Sequence, residues 1–275
     1  MISRFNAMSR TAAAGLAMTA ALTLAAGCGG SSSKGTSAAG SGKQLIGLFR
    51  LTPGAAHGKQ LTGTWFRMLQ PKGDVATGPY MVNGDSPADG GRATLLTPGT
   101  SGGLRTNAYQ SQPAPAFDSR GNSLADSITK PTKFFGVQFS ISTNEVDLQT
   151  KTKVAPPTVV DNNGRLTANL ASWAASWNKQ NFNQGAPKPV SSTGAQAPGQ
   201  QEATRVFDWV SHKYLNGAPK PSVSGTGATG TYNASTGAFV LQWTSLIVDG
   251  PFAGFTGIWH LEGTFQPGSA GPSGQ

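Results

Sequence analysis

The feature that most constrains the fold of this chain is a regular alternation of apolar and polar residues near its C-terminus. Two runs show it, and their apolar members are Phe239, Leu241, Trp243, Ile247, Trp259, Leu261 and Phe265. A period of two residues places one set of side chains on one face of a β-strand. Because a loop containing Gly and Pro, 249–255, joins the runs, they are predicted to form an antiparallel hairpin that closes a sheet.

Three further segments, 44–51, 60–70 and 134–142, repeat this alternation. The turn-rich stretch between the first two predicts a second hairpin with His57 in its loop. Only 12% of the residues are charged, whereas Gly (37) and Pro (18) are abundant, which favours strands joined by turns over helical bundles. The expected fold is therefore all-β: an antiparallel β-sandwich with long Gly/Pro-rich loops and little helix.

Two segments leave the choice between helix and strand open. Residues 165–180 contain apolar residues at helical spacing, but their Ser, Thr and Trp content and the flanking Gly and Asn favour a bulged strand. Residues 199–216 fit either a short helix or a strand. The stretch 83–119 is predicted to be a long loop, and loops of that length are usually functional or disordered.

The N-terminus is predicted to be a targeting segment. Arg4 and Arg10 precede an alanine-rich apolar run, 11–26, which is short for a membrane span of about 20 residues. The run ends in Leu-Ala-Ala-Gly-Cys at 24–28, which resembles the lipobox of bacterial lipoproteins. The resemblance implies cleavage before Cys28 and attachment of a diacylglyceryl group to it. The alternative is an ordinary signal peptide in which the cysteine is incidental.

Cys28 is the only cysteine of the chain, so it can form no internal disulfide, and acylation gives the lone thiol a role. Two acyl chains suffice for stable membrane anchoring, at about 0.8 kcal/mol per buried methylene. The expected location is the extracytoplasmic face of the bacterial membrane. The predicted organisation is a signal peptide at 1–27, a Gly/Ser-rich flexible linker at 28–42, one β-sandwich domain at 43–265 and a disordered tail at 266–275.

A weaker resemblance concerns the domain itself. The segments 172–178, 239–243 and 254–264 look like parts of exported bacterial β-sandwich proteins of unknown role. The resemblance implies a sandwich and no particular activity.

Charge and motif patterns argue against three classes of function: nucleic-acid binding, a hydrolase with a nucleophile elbow, and dinucleotide binding. The net charge is +9, but the Lys and Arg residues are scattered, whereas nucleic-acid binding usually needs a clustered basic surface. Gly99–Gly103 matches the hydrolase elbow, but a Pro precedes it and no helix pattern follows. Gly225–Gly230 matches the dinucleotide fingerprint but leads into strand sequence.

The pentapeptide Gly-Ala-Pro-Lys-Pro occurs twice, at 185–189 and 217–221. The two copies are interpreted either as duplicated surface loops or as low-complexity linker.

One loop resembles a calcium-binding loop. Asp118, Asn122 and Asp126 occupy ligand positions of such a loop, although Arg120 stands where an oxygen is needed. The alternative is a tight turn held by the Asp and Asn side chains. A weaker candidate comprises the acidic residues at 85 and 89. Calcium is the only cofactor that we expect, if any.

One pair of residues suggests acid/base chemistry. Glu262 and His260 lie two residues apart on one strand face, about 7 Å from each other. Together with an unidentified second carboxylate, they would suit an envelope polysaccharide hydrolase. The alternative is a solvated polar strand face.

Exposed tryptophans would suggest sugar binding, and Trp173, Trp177 and Trp209 are the candidates, whereas Trp243 and Trp259 are predicted to lie in the core.

The function predicted from all of these observations is a membrane-anchored lipoprotein whose β domain either binds a ligand, with envelope glycans as possible partners, or is purely structural. The hydrolase is the alternative.

Overall fold

The computed structural model describes residues 42–188, 205–208, 213–216, 227–248 and 250–268, with the backbone alone at 205–208 and 213–216. Cys28, the predicted linker up to residue 41, Trp209 and the chain after 268 lie outside the described residues. The described part contains two short 3-10 helices, Ala88–Gly91 and Gly250–Phe252. The described strands, in chain order, are β1 (Lys43–Gln44), β2 (Gly47–Leu51), β3 (Ala55–His57), β4 (Gln60–Thr62), β5 (Trp65–Asp74), β6 (Gly78–Tyr80), β7 (Thr94–Leu95), β8 (Gly103–Arg105), β9 (Thr132–Phe134), β10 (Val137–Thr143), β11 (Thr158–Asn162), β12 (Arg165–Asn169), β13 (Trp173–Trp177), β14 (Gln180–Asn183), β15 (Arg205–Asp208), β16 (Lys213–Asn216), β17 (Ala228–Tyr232), β18 (Ala238–Leu246) and β19 (Thr256–Pro267).

The fold is all-β and antiparallel, as predicted. The large sheet has the order β1-β11-β12-β17-β18-β19-β2-β8, with β5, β6 and β7 attached beside β19, and it curls into a half-barrel. A four-stranded sheet, β14-β13-β10-β9, packs against its inner face. Two small hairpins, β3–β4 and β15–β16, complete the set of described strands. The predicted C-terminal hairpin is present as β18 and β19.

Strand β19 organises the large sheet because it is long enough to pair with two strands on one side. Its first half pairs with β5, in the register Phe66 opposite Trp259, and its second half pairs with β2, in the register Phe49 opposite Phe265. The predicted hairpin between 44–51 and 60–70 is therefore wrong. The turn-rich stretch between these segments instead closes its own hairpin, β3–β4, which contains His57.

The core lies between the two sheets and is rich in aromatic rings. The Trp173 ring on β13 packs edge-on against Trp243, at 5.1 Å, and against Trp259, at 5.6 Å. Phe66 contacts Phe139 of the opposite sheet at 5.8 Å. Offset and edge-to-face contacts of this kind add about 0.5–1.5 kcal/mol per pair beyond area burial. The core therefore joins the sheets through the residues whose alternation predicts strands.

The sequence predicts one continuous strand over 134–142. The structure differs from this prediction, because a turn interrupts the segment. Phe135 and Gly136 both have positive φ, +50° and +76°, and they connect β9 to β10. This is the backbone pattern of a two-residue hairpin turn, which Asn-Gly usually supplies. Side chains hold the turn, since Asn83 Oδ1 accepts from the Phe135 N–H and Asp85 Oδ2 from the Gly136 N–H.

The segments with open assignments contain strands wherever the structure describes them. In β12, Leu166 and Ala168 are buried while Arg165 and Thr167 are exposed, so the period is two and not 3.6. Strand β13 follows after a turn, and β15 and β16 form a hairpin within 199–216. The loop predicted at 83–119 contains a 3-10 helix, β7 and β8. Within the described ranges, no helix is long and apolar enough to cross a membrane.

Candidate functional site

The face of the large sheet that points away from the core carries a row of polar and aromatic side chains. Odd-numbered residues of β19 face the core, so even-numbered ones face outward. The cross-strand register aligns one outward residue from each of five adjacent strands. We call this set the outer-face row: Trp65, His260, Gln242, Thr229 and Thr167.

Two cavities lie over this face. The larger, of about 710 Å³, is the outer-face pocket, and the smaller, of about 590 Å³, lies beside it over β12 and β17. Thr229 and Gln242 line both, so the cavities lie next to each other over β17 and β18. The larger volume falls within the range of about 300–1,000 Å³ that is typical of ligand sites. The outer-face pocket is lined by Trp65, Val75, Gly185, Ala186, Lys188, Gly227, Thr229, Gln242, Trp243, Thr244, Ser245, Leu246, Thr256 and Ile258.

A stagger between strands creates the outer-face pocket. The pairing of β17 with β18 ends at Thr229 opposite Gln242, whereas β18 continues to Leu246. The last residues of β18 therefore have no partner strand on this side within the described chain. Gly185, Ala186 and Lys188 line the resulting gap.

The centre of the outer-face row is a hydrogen-bonded cluster around His260. The Trp65 and His260 rings stack in parallel, with centroids 4.8 Å apart and an interplanar angle of 6°. Gln242 Nε2 lies 2.5 Å from His260 Nδ1, and His260 Nε2 lies 3.5 Å from Glu262 Oε2. If Gln242 donates to Nδ1, the neutral ring carries its proton on Nε2 and directs it toward Glu262. Burial lowers the pKa of His260, and Glu262 partly opposes this effect.

Arg67 supports Trp65 from a neighbouring position on β5. Its guanidinium lies 5.4 Å from the Trp65 ring and 4.6 Å from the Tyr80 ring, and it donates to Asp89 Oδ2 at 2.8 Å. Because both Arg67 and Asp89 are largely buried, this ion pair fixes the side chains around Trp65 more firmly than a surface pair would. Asp89, part of the weaker calcium candidate, is thus engaged with a cation of the protein.

The predicted acid/base pair is adjacent in the structure, as its spacing on one strand implies. Glu262 Oε2 also accepts from the Gly63 N–H at 2.9 Å. A glycosidase needs a second carboxylate about 5–10 Å away. In the described chain, Glu262 bonds to backbone N–H groups, to the Thr64 side chain and to the His260 ring. None of these partners supplies that second carboxylate.

Lys188, at one end of the outer-face pocket, is a site residue that the sequence analysis missed. Its Nζ donates to the Asn183 carbonyl at 2.5 Å and to Ser245 Oγ at 3.2 Å. Burial lowers its pKa to about 7, and the negative charge of Asp147 opposes this shift. Strongly shifted pKa values in a cleft mark functional-site candidates. The available signal was its place between two prolines in the first pentapeptide repeat.

The candidate calcium loop has the geometry of a side-chain-capped turn. Asp118 Oδ1 accepts from the Arg120 and Asn122 N–H groups at 2.8 and 2.9 Å, and Oδ2 accepts from Asn122 Nδ2 at 2.8 Å. These hydrogen bonds, the Asn122 side chain first, lower the pKa of Asp118. Asn122 Oδ1 accepts from the Gln138 N–H, and Asp126 Oδ1 lies 3.4 Å from Thr100 Oγ1. No group of three or more His, Cys, Asp or Glu side chains in the described ranges is placed to hold a metal.

Because these oxygens already accept from donors of the protein, we expect calcium to leave stability unchanged. The thermal unfolding midpoint should be the same with millimolar calcium and with chelator. Asp118→Ala should lower the midpoint equally in both conditions through loss of the turn, while Asp126→Ala serves as the matched carboxylate control. A calcium-dependent rise that Asp118→Ala abolishes would instead establish a cation site.

The tryptophans proposed for sugar binding occupy different environments. Trp173 is fully buried within the aromatic core, so its ring presents no face to a ligand. Trp177 is half-buried, and its Nε1 donates to the Phe134 carbonyl at 2.6 Å. Trp209 lies outside the described residues. Two tryptophans line the outer-face pocket: Trp65, which is half-buried, and Trp243, which is buried.

A second apolar space lies between the two sheets, with Phe66, Phe139, Trp177, Phe252 and Trp259 in its wall. Its volume is about 40 Å³. For comparison, an apolar cavity of about 150 Å³ binds benzene. This space is therefore too small for a lipid or an aromatic ligand, and the outer-face pocket is the better candidate.

Comparison with known protein families, with curated proteins and with solved structures gives no match to this chain. The candidate site therefore stands on its own geometry.

Proposed function

We propose that this protein is a lipid-anchored envelope lipoprotein whose β domain binds an anionic polysaccharide on the outer face of its large sheet. The anchor rests on the sequence around Cys28. The ligand class rests on the outer face, where two neighbouring cavities lie above the outer-face row. The domain binds the polymer without cleaving it.

The outer-face row beneath these two neighbouring cavities is the observation that carries the proposal. Successive members of the outer-face row stand on adjacent strands, about 4.8 Å apart. They offer indole, imidazole, amide and hydroxyl groups at this repeat across five strands. An extended, hydroxyl-rich polymer that runs perpendicular to the strands can meet one such group after another. A sugar chain has this chemistry.

Charge on the same face favours an anionic polymer. Arg50, Arg105 and Arg165 alternate with core-facing neighbours on β2, β8 and β12, so all three point outward, and each is exposed. None of them forms an ion pair with an acidic residue of the described chain. Arg165 also lines the smaller cavity. A cationic surface of this kind attracts carboxylate or phosphate groups along a polymer.

Binding can be measured on the full chain carrying Cys28→Ser, which prevents acylation. The probes are a polyuronate and its carboxyl-reduced, neutral form. We expect measurable binding of the polyuronate that weakens with salt, and little binding of the neutral polymer. Arg165→Gln should weaken polyuronate binding about 2- to 5-fold, as expected for one exposed charge. Lys153→Gln, at a well-exposed lysine away from the large sheet, should leave binding unchanged.

Three outcomes would contradict the proposal. Equal affinity for both polymers would show that charge does not determine binding. An absence of binding to either polymer would show that the ligand is not a polysaccharide of this kind. Release of new reducing ends, lost in Glu262→Gln, would support the hydrolase alternative.

A further inference from the structure

One end of the four-stranded sheet carries two hairpin turns side by side. The turn at 135–136 joins β9 to β10, and the turn at 178–179 joins β13 to β14. Because Ser140 of β10 pairs with Ser176 of β13, the start of β10 and the end of β13 lie at the same end of the sheet. We call the exposed surface at this end the hairpin tip: Val82, Lys133, Phe135, Gly136, Asn178 and Lys179.

Phe135 is an unusual residue for its position in the backbone. It stands first in a two-residue turn, with a φ of +50°, where asparagine, aspartate and glycine are favoured. The neighbouring turn follows this preference, with Asn178 at a φ of +49° in the equivalent place. A bulky residue in left-handed backbone is a strained outlier, and such outliers cluster at functional sites. Turn formation therefore does not account for the phenylalanine.

The Phe135 ring is held by the core but is not covered by it. Its centroid lies 4.8 Å from that of Phe134 and 5.7 Å from that of Phe252. Nevertheless, 39% of Phe135 and 51% of Val82 remain exposed. Val82 precedes Asn83, whose Oδ1 accepts from the Phe135 N–H, so both apolar residues belong to the same surface. The hairpin tip therefore presents a fixed apolar group to solvent.

The charged groups around Phe135 favour an anionic partner. Lys133 and Lys179 are exposed, and neither forms an ion pair with an acidic residue of the described chain. The carboxylate of Asp85 is held at the turn, where its Oδ2 accepts from the Gly136 N–H at 2.7 Å. Apolar side chains flanked by Lys or Arg are the features by which peripheral proteins bind anionic lipid.

We propose that the hairpin tip is a lipid-contacting surface. Phe135 enters the headgroup region of an anionic bilayer, and Lys133 and Lys179 bind the lipid phosphates. The position of the predicted anchor permits this contact, because the chain from 28 to 41 reaches roughly 50 Å when extended. Strand β19, the longest described strand, spans roughly 40 Å. The tip can therefore meet the membrane whichever end of the domain the chain enters.

The tether also makes a weak contact sufficient, because it raises the effective concentration of the hairpin tip at the membrane. This part of the argument rests on the proposed lipid anchor. The contact itself does not, since it can be measured on a chain without acyl groups.

The test is co-sedimentation of the chain from residue 28 onward, carrying Cys28→Ser, with lipid vesicles. This form lacks the apolar targeting segment and the acyl groups, and it retains every described residue. We expect binding to vesicles of phosphatidylglycerol and phosphatidylcholine that weakens with salt, and little binding to phosphatidylcholine alone. Lys133→Gln and Lys179→Gln should each weaken the partition about 5-fold. Lys153→Gln, beyond the other end of β10, should leave it unchanged.

Phe135→Asn separates a lipid-binding ring from a structural one. Asparagine is favoured at this turn position, which offsets the lost ring contacts, so the thermal unfolding midpoint should change little. The partition should nevertheless fall about 10-fold, because no ring enters the lipid. Ile46→Asn is the matched control and should leave the partition unchanged. Ile46 is also 39% exposed, but it precedes Gly47, which pairs with Pro267 at the end of β19 remote from Phe252.

An unchanged partition of Phe135→Asn would overturn the proposal, whatever its unfolding midpoint. Equal binding to both kinds of vesicle, or binding to neither, would do the same. Because the polysaccharide is tested on the outer face of the large sheet with Arg165→Gln, each of these failures would leave that result untouched.

Discussion

Lys188→Met is expected to remove a large pH dependence of stability between pH 7 and 10.5. Folding lowers the pKa of this amine from 10.5 to about 7, so between these values the unfolded chain binds the extra proton. The free energy of unfolding therefore rises with pH across this window. Below pH 7 folding carries the full cost of burying the protonated Lys188 amine, which is about 5 kcal/mol at 1.36 kcal/mol per pKa unit. Methionine has a similar length and no charge, so its variant lacks this slope.

The effect of Lys188→Met on the free energy of unfolding should change sign between pH 7 and 10.5. Methionine leaves the Asn183 carbonyl and Ser245 Oγ without their donor, at about 1 kcal/mol each. The variant should thus be more stable than the parent by about 3 kcal/mol at pH 6 and less stable by about 2 kcal/mol above pH 10.5. The curves should cross near pH 9.

Urea unfolding at a series of pH values measures this difference. Lys153→Met, at an exposed lysine, is the matched control and should follow the parent at every pH. The charge of Asp147 opposes the shift by acting on Lys188, so its effect is part of the difference that is measured. Burial lowers the pKa of His260, so this side chain is neutral across the window and contributes equally to parent and variant. Parallel curves for the parent and Lys188→Met would show that the amine is not perturbed by folding.

The second large effect is expected at Trp259, in the centre of the core. Its ring is fully buried and contacts Phe66 at 4.4 Å, Trp173 and Trp243. Trp259→Ala removes these contacts and leaves a cavity, which costs about 3–5 kcal/mol. For a domain of this size the unfolding midpoint should fall by roughly 10 °C. Calorimetry or fluorescence-detected melting measures the change.

Two milder substitutions test whether the indole hydrogen bond of Trp259 contributes to this loss of stability. Trp259 Nε1 donates to Gln184 Oε1 at 3.2 Å, whereas Trp173 Nε1 has no hydrogen-bond partner in the described chain. Trp259→Phe leaves a buried acceptor unsatisfied, while Trp173→Phe removes an unsatisfied donor. Trp259→Phe should therefore be the more destabilising by about 1–3 kcal/mol. Equal losses would mean that the Gln184 contact contributes nothing.

Local patterns allowed much of the strand content to be predicted. The alternation at 239–247 and 258–265 predicted β18 and β19 because a strand repeats every two residues wherever it pairs. The turn alternative at Asp118 was also visible, since an Asx-capped turn is formed by residues close in sequence. The placement of His260 and Glu262 on one face follows from the same period.

Pairing partners and burial depended on the tertiary structure. Backbone hydrogen bonds are alike in every strand, so no local pattern could show that β2 and β5 both pair with β19 and not with each other. Trp65 and Gln242 meet His260 only through that register. Lys188 is buried and bonds to Asn183 and Ser245, although Pro-Lys-Pro has the composition of a surface loop. The sequence by itself thus determined an all-β chain with a polar strand face, whereas packing between distant strands decided which residues form the site.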